Sequence, residues 1–241
     1  CDPARTARAF AIIHGAIYHV RYGNQAETEI NMGLIVGELA ASFILKSRET
    51  DGSMINENYI PTLTPGYHQM DPTNPIQGFS DPHWGKVKPF FLDFASKFRA
   101  PNAVGEIIWI KNKHSTYQRS NPFWRPIIGI RDPQWVPLGA PSFPASVSGH
   151  ATFGSATFEA SRRFYDRDNI SFQFQSDEYN GKTIDSNSGR PRPALFRSYA
   201  SLSAAEQENA DSRIYLGVHW RSDALRGQEI GRQVAFEVFR K

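Results

Sequence analysis

Apolar residues recur at helical spacing along most of the chain, and this periodicity is the strongest constraint on its fold. In the first segment, Phe10, Ile13 and Ile17 lie three and four positions apart, the spacing of one face of an α-helix. The same pattern predicts helices over seven segments: residues 3–20, 31–47, 87–99, 104–118, 148–165, 203–216 and 224–240. Strand signals are few and short. The sequence therefore predicts a mainly α protein.

Local signals predict where several of these helices begin and end. Gly52 follows the second predicted helix, and Gly217 is expected to end a helix that runs to about Leu216. Ser203 and Glu206 have the spacing of a capping box, which would open that helix. Residues 53–86 are rich in Pro, Gly, Asn and Asp and have no clear period. They predict a long ordered loop or an excursion across the surface.

Length and composition are those of a globular protein. The chain has 241 residues, 40% of them hydrophobic and 21% charged, so we expect one domain over residues 1–241. Lys and Arg number 27 against 24 Asp and Glu, a net charge of +3, which is too small a surplus to favour nucleic-acid binding. No apolar run approaches the ~20 residues of a membrane span.

The single cysteine, Cys1, excludes an internal disulfide framework and a Cys-rich metal site. Because the chain begins at Cys1 rather than Met, we expect a processed or trimmed form. A secreted or periplasmic location is our expectation for such a protein.

The segment Ser148, Gly149 and His150 has the most informative chemistry. At a predicted helix start, it places a hydroxyl, free backbone N–H groups and an imidazole at the positive end of the helix dipole, which suits an oxyanion. The alternative is a serine that only caps the helix, beside an incidental histidine.

A second segment contains Arg213, His219 and Asp223. Six residues on an unbroken helix would turn His219 about 240° away from Arg213, so the two converge only if the chain bends, which Gly217 permits. Asp223 lies four residues after His219, a spacing at which a carboxylate can orient an imidazole. The alternative is a surface ion pair beside a packed Trp220.

The third segment is Phe123, Trp124, Arg125 and Pro126. An arginine between Trp and Pro, where the chain leaves a helix, is held rigidly enough to point into a cavity, whereas the planar fork of donors that suits a tetrahedral oxyanion is offered by Arg213 of the second segment. The alternative is an arginine stacked on a surface tryptophan.

Together these segments resemble the vanadium-dependent haloperoxidases, which share a fold and an anion pocket with the type-2 phosphatidic acid phosphatase superfamily. Three motifs carry the resemblance: FWRP at 123–126, PSFPASVSGHATFG at 141–154 and SRIYLGVHW at 212–220. Residues 9–20, 64–69 and 84–87 are also similar to the haloperoxidase branch. The resemblance implies a helical bundle of the haloperoxidase and acid phosphatase type.

The resemblance also implies roles for the residues of the motifs. His219 would be the ligand bonded to the vanadium of vanadate, and His150 the acid–base group that helps peroxide bind and deprotonate. Donors to the vanadate oxygens would be Arg125, Arg213, Ser148 and the backbone N–H of Gly149. Vanadium(V) would act as a Lewis acid on hydrogen peroxide, and halide would be oxidised to a hypohalous species that halogenates a small organic substrate. Phosphate could substitute for vanadate, and a homo-oligomer is compatible with the sequence.

One expected cation departs from the family pattern. The family has a Lys about two helical turns before the Arg of its first motif, but seven residues before Arg125 lies Gln118. The nearby cations are Lys111, Lys113 and Arg119, and we favour Lys113 as the cofactor-binding lysine, with Arg119 as the alternative. The chain is also short for this branch after residue 98, which indicates a truncated loop or residues absent near 102–122.

Halide choice and reaction type have alternatives too. Phe143 lies seven residues before His150, where bromide-selective relatives tend to have His and chloride-oxidising ones Phe, so chloride is favoured; the alternative is a core aromatic. An acid phosphatase is the main competing function, with His219 as the nucleophile and His150 protonating the leaving alcohol. A third interpretation is a repurposed or inactive family member.

Overall fold

The computed structural model describes residues 27–240 with gaps at 91, 95, 99–122, 133, 136, 138 and 186–187. Within these residues the elements in chain order are five helices, two strands and one short 3-10 helix. They are α1 (Glu27–Arg48), the 3-10 helix (Pro82–Lys86), α2 (Pro126–Ile130), α3 (Gly149–Tyr165), β1 (Phe172–Gln175), β2 (Phe196–Tyr199), α4 (Leu202–Tyr215) and α5 (Arg221–Phe239). The fold is mainly helical, as the periodicity predicts.

Internal contacts divide the chain into two compact units, residues 1–60 with 76–97 and residues 61–75 with 98–241. The single domain expected from the length stays a prediction. The helices expected at 3–20 and 104–118 lie outside the described residues. Among the residues that are described, no helix is long and apolar enough to cross a membrane.

In the first unit, α1 covers the predicted helix at 31–47 and ends before Gly52, whose φ of 90° is in the left-handed region. The helix predicted over 87–99 was wrong, because the described residues of 87–98 form bends and turns. Pro89 disfavours helical backbone at Lys88, the residue before it, so the helix could not begin at residue 87. Arg48 binds the carbonyls of Lys88 and Pro89 at 2.8 and 3.2 Å, so a side chain satisfies them.

In the second unit, α3 packs closely against α5 because two glycines of α5 face it. A Cβ added at Gly227 would lie 2.7 Å from the Ser148 carbonyl oxygen, and one at Gly231 would lie 2.3 Å from the Thr152 carbonyl oxygen. Larger residues would therefore push the helices apart. Helix α4 joins this pair through a small-residue core of Ala151, Ala210 and Ala224.

The start of α4 differs from the prediction by two residues. The N-cap is Ser201, whose hydroxyl accepts the Ala204 N–H at 3.0 Å, and not Ser203. Glu206 does not close a capping box, because its buried carboxylate binds Arg162 at 2.6 Å and Arg232 at 2.7 Å. The Glu206 carboxylate, which the local pattern assigns to the cap, is instead used in tertiary ion pairs.

The segment between α3 and α4 contains the one sheet found in the described residues. β1 and β2 pair antiparallel, with Phe172 opposite Tyr199 and Gln175 opposite Phe196. The two strands make the chain mainly rather than entirely helical.

Candidate active site

Arg125 is the largest of the fully buried side chains that the structure describes, at 1% exposure. Its Nη1 donates to the Val218 carbonyl at 2.8 Å, its Nε to the Phe143 carbonyl at 2.8 Å, and its Nη2 to the Pro144 carbonyl at 3.3 Å. Burial lowers its pKa to about 9, so the guanidinium keeps its charge at neutral pH. The surface-stacking alternative was wrong, since Trp124 is also buried.

The local chain fixes where Arg125 points. Arg125 caps α2 with φ −71° and ψ 156°, and Pro126 occupies the first helical turn, as expected for a proline at that place. Just before it, the Trp124 N–H donates to the Gly66 carbonyl at 3.0 Å. The Phe123 carbonyl accepts from the Ala145 N–H at 2.9 Å. The first motif is thus tied to two other segments.

His219 lies against the Arg125 guanidinium and is 4% exposed. Arg125 Nη1 is 3.0 Å from His219 Nε2, while His219 Nδ1 is 3.4 Å from Asp223 Oδ2. A carboxylate only accepts, so we assign the ring proton to Nδ1 and a lone pair to Nε2. Burial is the main reason that the pKa of His219 falls to about 4, which leaves the imidazole neutral at physiological pH.

Asp223 is fully buried, and it binds two backbone N–H groups in addition to the His219 imidazole. Its Oδ2 accepts the Trp220 N–H at 2.9 Å at the start of α5, and its backbone carbonyl accepts the Ser148 N–H at 3.0 Å. One residue therefore joins the third motif to the middle motif. The surface ion-pair alternative for His219 and Asp223 was wrong, because both are buried.

The end of α4 makes the bend that the third motif requires. Gly217 has φ 72°, its N–H donates to the Ile214 carbonyl at 2.9 Å, and the Val218 N–H donates to the Arg213 carbonyl at 3.2 Å. These two bonds with a left-handed glycine form a Schellman motif. The His219 N–H also binds the Arg213 carbonyl at 3.2 Å. Gly217 thus ends the helix where the sequence predicted.

The middle motif opens α3 as predicted, with Ser148 as N-cap and Gly149 as the first helical residue. The Ser148 hydroxyl is fully buried and accepts the Ala151 N–H at 3.4 Å. His150 is exposed, and Asn209 Nδ2 donates to its carbonyl at 2.8 Å. Partial desolvation, and then the charges of Arg213 and Arg125, lower the pKa of His150.

Arg213 differs from Arg125 because its Nε–H has no acceptor among the described residues. Its Nε is buried, and burial lowers its pKa. The positive charges of Arg213 and Arg125 both act on His219 and His150. Two guanidiniums and a neutral imidazole at a helix N-terminus are a donor set that fits a tetrahedral oxyanion.

Two predicted site residues have different outcomes. Phe143 contacts the site, since the Arg125 guanidinium carbon lies 4.7 Å from its ring centroid. Lys113 and its alternative Arg119 lie outside the described residues, so the third cation stays a prediction.

The sequence analysis assigned no role to His68, although it lies within the 64–69 similarity. His68 is 3% exposed, and burial together with the positive charge of Arg125 lowers its pKa to about 3. The available signal was an isolated histidine in an irregular segment that resembled the family.

Comparisons with known proteins identify the family of this chain. A family model described as "VCPO second helical-bundle domain" matches residues 111–241. The vanadium chloroperoxidase of Curvularia inaequalis is 37% identical over 150 residues, covering 45% of this chain and 25% of that protein. The chain thus spans about a quarter of the length of this curated relative.

Two solved structures have the same fold at low identity. The first bacterial vanadium-dependent iodoperoxidase superposes with a TM-score of 0.66 and 19% identity, covering 98% of this chain and 74% of the other. A holo-type bacterial vanadium-dependent chloroperoxidase gives 0.64 and 14%, covering 86% and 72%. With the family model matching more than half of its length, this chain belongs to the vanadium chloroperoxidase family.

Proposed function

We propose that this protein is a vanadate-dependent haloperoxidase, which oxidises halide with hydrogen peroxide to a hypohalous species that halogenates small organic substrates. The observation that carries the proposal is the buried, neutral His219, whose Nε2 lone pair lies 3.0 Å from a cationic guanidinium. Asp223 on the other ring nitrogen favours the tautomer with a lone pair on Nε2, which can bond the central atom of an anion, and the guanidinium beside it attracts that anion.

The residues present fit vanadate. His219 Nε2 would be its covalent anchor, and Arg125, Arg213, the Ser148 hydroxyl and the Gly149 N–H would donate to its oxygens, with Lys113 as the proposed third cation. When bound, vanadate would supply the Lewis acid that activates hydrogen peroxide. Arg213 supports this assignment best, since its buried Nε has no acceptor among the described residues.

His150 would accept a proton from peroxide at a ring nitrogen. That step needs the neutral imidazole, and the lowered pKa of His150 keeps this form abundant at neutral pH. The phosphatase alternative needs the other form, a protonated His150 that donates to the leaving alcohol. A neutral His219 backed by Asp223 would still suit a phosphohistidine nucleophile, so that alternative is tested beside the first.

Phe143 supports chloride as a substrate. Its ring lies against the Arg125 guanidinium, where a second imidazole would compete for protons and carry water. An apolar neighbour leaves His150 as the titrating group on that face.

Reconstitution with orthovanadate tests the proposal. The protein would be assayed for chloride- and bromide-dependent halogenation of a phenolic dye with hydrogen peroxide, and in parallel for hydrolysis of p-nitrophenyl phosphate. We expect halide oxidation that requires vanadate and disappears in His219→Ala with the helical circular dichroism retained. Hydrolysis without halide oxidation would instead establish the phosphatase, and neither activity would establish a repurposed member. Halide oxidation that survives in His219→Ala would contradict the assignment of the ligand.

A further inference from the structure

We propose that a cavity beside α2 binds a small phenolic compound and holds it for halogenation close to the anion site. As a substrate site the cavity rests on the proposed function, whereas the binding of a phenol there can be tested without it. The residues that line it, in the ranges 69–73 and 127–135, belong to none of the three motifs.

The cavity has a volume of about 420 Å³ and lies within the second unit. Sites for small organic molecules usually have volumes of about 300 to 1,000 Å³ and mainly apolar walls. Five of the residues that line this cavity are apolar: Met70, Pro72, Ile127, Ile128 and Trp135. Ile127 and Ile128 are each 5% exposed and belong to the core cluster against which Trp135 packs. Aliphatic side chains and an indole backed by a packed core suit the face of an aromatic ring.

The polar residues of the cavity have hydrogen-bonding capacity left. Arg131 Nε donates to the Ile128 carbonyl at 3.1 Å, and the two terminal nitrogens of Arg131 have no acceptor among the described residues. Gln69 also lines the cavity, and its buried Nε2 has no acceptor in that part of the chain. Asp132 contributes a carboxylate, whose Oδ1 accepts the Gln134 N–H at 2.9 Å. Donors and a carboxylate around one cavity fit a hydroxyl, which both accepts and donates, and a phenol has this group.

Two connections place the cavity close to the anion site. The two isoleucines of its wall belong to α2, whose N-cap is Arg125, and the Arg125 guanidinium lies 3.0 Å from His219 Nε2. Trp135 lies against the turn at Gly217, two residues before His219, because a Cβ added at Gly217 would be 2.5 Å from Trp135 Cζ2. A molecule in the cavity is therefore held against two segments that also form the anion site.

A phenol in this place matches the product of the proposed halide oxidation. Its electron-rich ring donates an electron pair to the halogen of the hypohalous acid, and a carbon–halogen bond forms. The oxygen–halogen bond breaks with its electron pair going to oxygen, and the proton lost from the same ring carbon joins that oxygen as water. A ring held in one orientation is attacked at some positions in preference to others.

Fluorine nuclear magnetic resonance with 4-fluorophenol tests binding in the protein without vanadate, peroxide or halide. Thr73 is exposed and lines the cavity, and its hydroxyl already donates to Asp71 Oδ1 at 2.6 Å. Thr73→Trp would occupy the space, so we expect the affinity for 4-fluorophenol to fall at least about 10-fold through the clash. Thr73→Ala is the matched control, since it loses the same hydroxyl without filling the cavity, and it should bind as the wild type does.

Arg131→Asn tests the polar side of the cavity. Arg131 has a φ of 56°, and asparagine tolerates this left-handed conformation but is too short to replace the guanidinium. We expect affinity for 4-fluorophenol to fall about 10-fold, the loss of one charged hydrogen bond. Arg221→Asn, at an exposed position of α5, should match the wild type.

Three results of the binding measurement would overturn the inference. They are a wild type that does not bind 4-fluorophenol, unchanged affinity in folded Thr73→Trp, and equal weakening in Thr73→Ala and Thr73→Trp. If circular dichroism shows that Thr73→Trp does not fold, Arg131→Asn decides: weaker binding than in Arg221→Asn supports the site, and equal binding overturns it.

Product analysis on the vanadate-reconstituted protein separates the substrate site from the proposed function. With hydrogen peroxide, bromide and phenol, we expect an ortho-to-para ratio of bromophenols at least about 2-fold different from that given by added hypobromous acid, because the ring is oriented. Thr73→Trp should return the ratio to that of the free reagent. A wild-type ratio equal to that of the free reagent would overturn the role of the cavity in halogenation. A protein that binds 4-fluorophenol but oxidises no halide would overturn the proposed function and leave the phenol site established.

Discussion

Arg125 and Arg213 belong to the same candidate anion site, but the chain surrounds them in opposite ways. Arg125 is held by three backbone carbonyls from two segments and is almost completely buried. Arg213 is partly buried at the end of α4, and its buried Nε has no acceptor among the described residues. One arginine is oriented before any anion arrives, whereas the other retains hydrogen-bonding capacity for an anion. We infer that Arg125 shapes the site and that Arg213 binds the negative charge of the anion.

The largest expected effect separates these two arginines. Arg125→Leu leaves the carbonyls of Phe143, Pro144 and Val218 without their donor, so we expect unfolding free energy to fall by about 3 kcal/mol or more and orthovanadate binding to be lost. Arg213→Leu should change stability by less than about 1 kcal/mol but weaken orthovanadate binding roughly 100-fold, the value of a charged hydrogen bond. Urea unfolding and calorimetric titration measure both quantities.

Arg221→Leu is the surface control for this pair, since Arg221 is exposed and pairs with Asp211 at 3.3 Å. Exposed ion pairs contribute little, so both measurements should match the wild type. Equal stability losses in Arg125→Leu and Arg213→Leu would contradict the inference that the two arginines have different roles.

Replacement of Asp223 tests whether its carboxylate sets the tautomer of His219. Asp223→Asn keeps the shape but no longer requires the proton on His219 Nδ1, so the Nε2 lone pair is lost in part of the molecules. We expect orthovanadate affinity to fall about 10- to 100-fold with little change in circular dichroism. Wild-type affinity in this variant would show that the His219 tautomer does not depend on Asp223.

The third cation is expected to have a smaller effect. Lys113→Ala should weaken hydrogen peroxide activation about 10-fold, the loss of one charged hydrogen bond, whereas Arg119→Ala should have no effect. Steady-state kinetics in peroxide distinguish the two variants. If Arg119→Ala alone loses activity, Arg119 supplies the cation; if neither does, Arg125 and Arg213 suffice.

The smallest effect is a change in the titration of His150. Arg213 is a larger cause of its lowered pKa than Arg125, so Arg213→Leu should raise the pKa of His150 toward its ordinary value. During acidification, His150 would then become protonated at a higher pH than in the wild type. The imidazole proton shifts in nuclear magnetic resonance report this directly, and Arg221→Leu should leave them unchanged.

Sequence reasoning predicted the parts of the site that depend on neighbouring residues. Ser148 caps α3 and Gly217 ends α4, because a cap and a left-handed glycine act within a few residues. Asp223 lies beside His219, as their spacing of four predicts, although His219 precedes the N-cap Trp220 and only Asp223 lies in the first turn of α5. Where a tertiary partner competed, local reasoning failed: Glu206 binds Arg162 and Arg232 instead of closing a capping box.

The mainly helical class and the residue types of the anion site were determined by the sequence alone, since periodicity and side-chain chemistry are local properties. Only the tertiary structure decided that Arg125 contacts His219, 94 residues away. It also decided that the described residues of 87–98 form bends and turns instead of a helix, with Arg48 binding the carbonyls of Lys88 and Pro89. These outcomes depend on which distant groups meet within each compact unit, and the hydrophobic period of a segment does not encode its partners.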